Sequence, residues 1–140
     1  MRLVLQLHIP ADARMLPKTR QAVAGYLEET APSPDLVDDV VLALDEACAN
    51  VIRHAFPKGV EGSIKLLAEI EDDMVTVLVE DDGVGFDPFC VDLRGKLDDT
   101  SGRGLHLIRM LMTSVDVESP IAEDGTGTRL RMSKQLKAGA

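Results

Sequence analysis

The sequence predicts an α+β fold in which helices cover one face of a mixed, mostly antiparallel sheet. Three observations lead there. Val37, Val40, Val41, Leu44, Ala47, Cys48, Val51 and Ala55 recur at three- and four-residue spacings, the stripe of a core-facing helix. Two β-rich runs, Ser63 to Ile70 and Met74 to Glu80, flank the acidic turn Glu71-Asp72-Asp73 as a hairpin. The remaining apolar patterns complete the order β-α-α-β-β-α-β-β, which a two-layer sandwich with about three helices on one side accommodates.

Taken in order, Arg2 to Ile9 alternates over much of its length and reads as a strand stopped by Pro10. His8 falls on its polar side as an ordinary surface histidine. Ala13 to Glu29 carries Leu16, Val23, Ala24 and Leu27 at helical spacing, with Pro17 near its start. Thr30-Ala31-Pro32-Ser33-Pro34 breaks that helix, and Ser33 before Pro34 has the form of an N-cap with proline in the first helical position. The long helix then runs to near Pro57-Lys58-Gly59. After the hairpin comes a glycine-bearing, charged region, residues 82–102, of about twenty residues. That is too long for a plain connection and makes 87–101 a candidate lid. A short helix with the stripe Leu105, Ile108, Leu111 and Met112 follows. Two closing strands, Ser114 to Glu118 and Thr128 to Ser133, are joined by the turn Pro120 to Gly127. The tail, residues 134–140, reads as frayed. With no repeat or linker, residues 1–140 read as one domain.

Composition narrows the function classes. A net charge of −9 argues against a nucleic-acid partner, which calls for a basic patch, and against an anionic membrane surface. With three Phe, one Tyr and no Trp, the core must be aliphatic. Cys48 sits in the helix stripe and Cys90 in the loop region. Their spacing suggests neither a disulfide framework nor a zinc site, and fits a reducing cytoplasm. No secretory leader pattern is visible, and no apolar stretch approaches ~20 residues.

Four short patterns carry chemistry. Glu46, Asn50 and His54 follow at i, i+4 and i+8, so a carboxylate, an amide and an imidazole line one ridge of the long helix. That row suits a site wall; a solvated polar edge has the same form. Asp81-Asp82-Gly83-Val84-Gly85-Phe86 ends the second hairpin strand. There a carboxylate can accept from an exocyclic amine, and glycine lets a ligand approach, although an ordinary turn reads alike. Gly102-Arg103-Gly104-Leu105 opens the short helix, where unpaired N–H groups and a guanidinium suit phosphate; a flexible loop meeting a helix is the alternative. It is not a P-loop, and it lacks the third glycine and βαβ setting of a dinucleotide fingerprint. Gly125-Thr126-Gly127-Thr128 precedes the last strand and reads on its own as a turn.

In this order and context, the four patterns resemble the asparagine box and the three glycine boxes of the GHKL ATPases, a superfamily of Bergerat fold. The stretches Asp45-Glu46-Ala47-x-x-Asn50-x-x-x-His54-Ala55-Phe56 and Gly102-Arg103-Gly104-Leu105-x-Leu107-Ile108-x-x-Leu111-Met112 are similar to one branch, the anti-sigma-factor serine kinases of bacterial partner switches. The likeness covers nearly the whole chain. One departure is Thr113-Ser114, where members of that branch often carry an acidic pair.

The resemblance implies an ATP- and Mg²⁺-dependent serine/threonine protein kinase. Glu46 would be the general base on a protein hydroxyl, and Asn50 the Mg²⁺ ligand. Asp81 would hold the adenine amine, with Gly83 and Gly85 as pocket floor and Thr128 completing the adenine side. Gly102, Arg103 and Gly104 would hold phosphates, with Leu105 bordering them. Arg53 and His54, one turn beyond Asn50, could reach the nucleotide or stay on the surface. The implied substrate is a STAS-type anti-anti-sigma protein, and the implied second partner a sigma factor or other regulator held by a homodimer. Arg20 is a candidate partner contact under the same resemblance. Two rival readings are a nucleotide-gated binding module without phosphotransfer and a histidine-kinase-like catalytic domain acting on a separate phosphoacceptor.

Overall fold

A computed structural model describes residues 3–29, 33–54, 56, 61–84, 100–119 and 121–136. Strands β1 (Leu3–Pro10), β2 (Ser63–Glu71), β3 (Met74–Val84), β4 (Ser114–Glu118) and β5 (Thr126–Gln135) form one five-stranded sheet in the order β1-β2-β3-β5-β4. The antiparallel part of the expectation accounts for every described ladder. Among the described residues three α-helices accompany the sheet: α1 (Leu16–Glu28), α2 (Pro34–His54) and α3 (Thr100–Leu111).

Local chemistry sets the ends of these elements. Ser33 Oγ accepts the Leu36 N–H at 3.3 Å, and Pro34 opens α2, the arrangement the Ser-Pro pair predicts. Ahead of α1, Asp12 caps a short 3-10 turn, Ala13–Met15, by accepting from the Arg14 N–H at 2.9 Å. The Arg14 guanidinium bonds the same carboxyl, which brings Asp12 down to about 2. The β2–β3 hairpin closes on Asp72 and Asp73 with φ of 53° and 61°. Two left-handed residues make the primed turn whose twist matches the flanking strands.

Strand alternation decides which side chains meet the helices. Ile64, Leu66, Ala68 and Ile70 of β2 are buried, as are Val75, Val77 and Val79 of β3 and Leu130 and Met132 of β5. From the helix layer, Leu27, Val40, Leu44, Cys48 and Ile108 are almost completely buried. Each large aliphatic side chain so buried contributes about 1.5–3 kcal/mol. The largest fully buried side chains include no aromatic, which is the aliphatic core the composition requires. Cys48 lies within it, and burial followed by the nearby Asp45 charge pushes its thiol up to about 12. Such a thiol is inert at neutral pH.

Some boundaries differ from the sequence expectation. β3 runs on to Val84, because a register irregularity between Asp81 and Val84 lets the strand absorb the turn-like Asp-Gly sequence. β5 opens at Thr126 and continues to Gln135, so residues 134–136 are not frayed. Leu136 is buried and its N–H donates to the Asp73 carbonyl at 2.7 Å. Lys134 reaches the Leu111 carbonyl at the end of α3 and lies 3.3 Å from Asp39 of α2. An apolar anchor and a bridging cation fix this end. Thr113 and Ser114 also serve closure of the sheet: the Thr113 N–H donates to the Ser133 carbonyl at 2.8 Å, and Ser114 Oγ pairs with Ser133 Oγ. The lid expected at 87–101 lies outside the described residues except for its last two positions, which begin α3. Gly85, Cys90, the helix stop at 57–59 and the last four residues also lie outside them.

Candidate functional site

The period-two burial of β3 does not stop at its last valine. Residues 75, 77 and 79 face the helices, so Asp81 must too, and it is only 5 % exposed. Its Oδ1 accepts the N–H of Gly83 at 2.9 Å, across the irregularity where β3 pairs Asp81 with Thr128 and Val84 with Thr126. Burial pushes the Asp81 carboxyl above its ordinary range, the Gly83 hydrogen bond opposes this, and the charges of Asp82 and Glu80 add to the rise. A carboxylate held away from water is costly unless a donor meets it. With Oδ1 engaged, Oδ2 is the atom to accept from a ligand.

The opposing strand is shaped to this point. Gly127 has a φ of +89°, and a Cβ there would stand 2.5 Å from Ile121 Cγ1 and 3.1 Å from the Asp81 carbonyl oxygen. Glycine answers both the backbone angle and the close approach. Next to it, buried Thr128 pairs its hydroxyl with Ser119 Oγ at 3.0 Å, and that Oγ also donates to the Gly127 carbonyl at 3.0 Å. A cavity of about 320 Å³ at this end is lined by His8, Lys65, Glu80 and Asp82 among others. Strand alternation puts those side chains on the face away from the helices, and Asp81, Ile121 and Gly127 line the cavity beside them. His8 there pairs with Ser63 Oγ at 2.9 Å.

On α2, Glu46 and Asn50 share the ridge that their spacing predicts, and both are partly exposed. Arg53 joins them. Its Nη2 donates to Asn50 Oδ1 at 2.7 Å and stands 3.8 Å from Glu46 Oε2. A single guanidinium thus spans the carboxylate and the amide oxygen across two helical turns. Beside Glu46, Asp45 is bound at 2.7 Å by Arg20 of α1, so Arg20 ties α1 to α2. The side chain of His54 lies outside the described residues. On α3, the helix opens at Thr100, two residues before the expected start, so the Gly102-Arg103-Gly104 backbone forms its first turns. Leu105 is 5 % exposed and belongs to the core. Its side chain packs inward as the first residue of the apolar stripe of α3.

Comparison with known proteins decides the family. The Histidine kinase-like ATPase domain family matches residues 9–134. The chain belongs to this family. A serine-protein kinase RsbW of Bacillus cereus (strain AH187) is 29% identical over 122 residues, covering 81% of this chain and 76% of the relative. An anti-sigma F factor of Clostridium novyi (strain NT) is 30% identical over 128 residues, covering 85% of each chain. A crystal structure of the RsbU and RsbW domains of a Mycobacterium tuberculosis protein has the same fold, with a TM-score of 0.71 at 20% identity. It covers 99% of this chain, which spans about a third (34%) of that one. This histidine kinase-like ATPase domain is, by enzyme class, a protein serine/threonine kinase.

Within the family frame, one side chain of the site region escaped the sequence reading. Ser119 supports Thr128 from across the β4–β5 connection, and only the strand pairing brings the two together. Arg53 was legible as a ridge neighbour, at i+7 from Glu46, but its grip on Asn50 was not. Among the described residues no cluster of three or more His, Cys, Asp and Glu side chains gathers to hold a metal, and no helix is long and apolar enough to cross a membrane.

Proposed function

We propose that this chain is the ATP- and Mg²⁺-dependent kinase of a bacterial partner switch. It phosphorylates a serine or threonine of a STAS-type anti-anti-sigma protein, and as a homodimer it sequesters a sigma factor or an equivalent regulator. The observation that carries this reading is the Glu46–Asn50 ridge of α2, a carboxylate and a neutral amide oxygen one turn apart. The names of the relatives, a serine-protein kinase and an anti-sigma factor, support the class of partners.

The residues present fit the metal. Asn50 Oδ1 already accepts a cationic donor at 2.7 Å, and Mg²⁺ takes few protein oxygens beside phosphate and water. They fit the nucleotide as well. Asp81 offers a buried acceptor to the adenine amine, with Thr128 paired beside it and Gly83 bonded to its carboxyl; Gly85 remains a floor residue only by the resemblance. Gly102, Arg103 and Gly104 offer phosphate the N-terminus of α3. Bound together, metal and nucleotide supply the transferable phosphoryl group with its charge partly neutralised. Glu46 would accept the proton of the substrate hydroxyl, whose oxygen would bond to the γ-phosphorus of the substrate ATP as the bond from that phosphorus to the departing ADP breaks.

The test is incubation with γ-labelled ATP, Mg²⁺ and the STAS-domain protein encoded nearest the chain's gene. Label on serine or threonine of that protein is the expected result. Label on histidine would move the chain to two-component phosphorelay chemistry. Nucleotide binding without transfer would make it a gated binding module.

A further inference from the structure

We infer that Arg53 is an exchangeable counter-ion of the site, which occupies the Asn50 oxygen and is displaced when a divalent metal binds. The inference rests on the proposed metal role of Asn50. Three features of the geometry lead to it. The Arg53 Nη2 donor is 2.7 Å from Asn50 Oδ1, a strong and direct contact on the only ligand oxygen that side chain has. The same nitrogen is 3.8 Å from Glu46 Oε2, so one cation satisfies the two groups whose roles need a different cation and a proton. The Arg53 side chain is 40% exposed while that of Glu46 is 25% exposed. The guanidinium therefore has a solvated position to move to, and the two α2 groups stay in place.

Displacement follows from charge. Mg²⁺ binds oxygen at about 2.0–2.1 Å, so a metal and a guanidinium on the same oxygen would stand less than about 5 Å apart. At that range a guanidinium and a divalent cation repel each other, even at an exposed contact. One must leave. Arg53 thus sets a threshold: it keeps the ridge ordered and raises the metal concentration needed to engage Asn50.

The test is a titration of Mg²⁺ against binding of a fluorescent ATP analogue, read by anisotropy for the wild type, Arg53→Gln, Asn50→Ala and the double variant. Loss of an exposed charge-assisted contact is worth roughly 2- to 5-fold, so Arg53→Gln should lower the Mg²⁺ midpoint by about that factor. The shift should vanish in the Asn50→Ala background, where the guanidinium has no oxygen to hold. An unchanged midpoint in Arg53→Gln, or a raised one as expected of a residue that grips the nucleotide, overturns the inference. Wild-type Mg²⁺ dependence in Asn50→Ala would instead overturn the metal role on which it rests. Because Arg53 is well exposed, Arg53→Lys serves as a folding-neutral second variant. It keeps the charge but not the planar fork, and its midpoint should fall between those of wild type and Arg53→Gln.

Discussion

Replacing Asp81 with Asn separates what the site needs from what the fold prefers. The amide keeps the volume, and its oxygen can still accept the Gly83 N–H that now reaches Oδ1 at 2.9 Å. What changes is the other atom: an acceptor becomes an NH₂ donor where the proposed site puts the adenine amine. The lost hydrogen bond to a charged group is worth about 1.5–3 kcal/mol, so ATP should bind about 10- to 150-fold more weakly. Stability should move the other way. Burial raises the Asp81 carboxyl, so the folded chain holds that proton more tightly than the unfolded one. The resulting stabilisation is complete below the ordinary carboxylate pKa of about 4 and is lost as pH rises through the folded value. At pH 7 the ionised group is therefore a cost, which the neutral amide removes. Nucleotide titration calorimetry and urea unfolding at pH 4 and pH 7 read both effects. Asp81→Asn should be at least as stable as wild type at pH 7, with the gap narrowing toward pH 4. Wild-type affinity would remove Asp81 from the base pocket, and a clear loss of stability at pH 7 would refute the argument from burial.

Further outcomes follow from the same geometry. Glu46→Gln should retain nucleotide binding and lose phosphotransfer by roughly 10²–10⁴, measured in single-turnover assays with the protein substrate. Gly127→Ala combines a φ of +89° with a Cβ 2.5 Å from Ile121 and 3.1 Å from the Asp81 carbonyl. It should cost about 1–3 kcal/mol in denaturant unfolding and weaken nucleotide binding as well. Leu44→Ala, at a fully buried position of α2, should cost about 2–5 kcal/mol in the same assay, with little effect on affinity below its melting range.

Much of the architecture could be read from the chain because its periods are clean. The apolar stripe of α2 continues over residues 37–48 with a 3.6-residue repeat, so Glu46 and Asn50 on a common ridge follow from arithmetic. The alternation of Val75, Val77 and Val79 likewise puts Asp81 on the helix-facing side, and the acidic pair Asp72-Asp73 marks the hairpin turn. Other features depend on contacts between distant segments. Ser119 meets Thr128 only because β4 and β5 pair, and the close pass of Gly127 over Asp81 exists only once β5 lies beside β3. Leu136 keeps the even-numbered face of Leu130 and Met132, but the intervening Lys134 breaks the apolar alternation that would have marked it as core. The Arg53 contact depends on the rotamer of a long, partly exposed side chain, which spacing does not determine. Gly125 and Gly127 obscured the start of β5, because a pair of glycines in sequence looks like a turn even where the second lies within a strand.

In the proposed site Asp81 and the Glu46–Asn50 ridge form two ends of one ATP pocket. The most direct measurement is a crystal structure of the chain with Mg²⁺ and a non-hydrolysable ATP analogue. The expected result is the adenine amine on Asp81 Oδ2, the metal on Asn50 Oδ1 and the Arg53 guanidinium displaced from that oxygen. Nucleotide bound elsewhere, or bound here with Asp81 and Asn50 untouched, would contradict it.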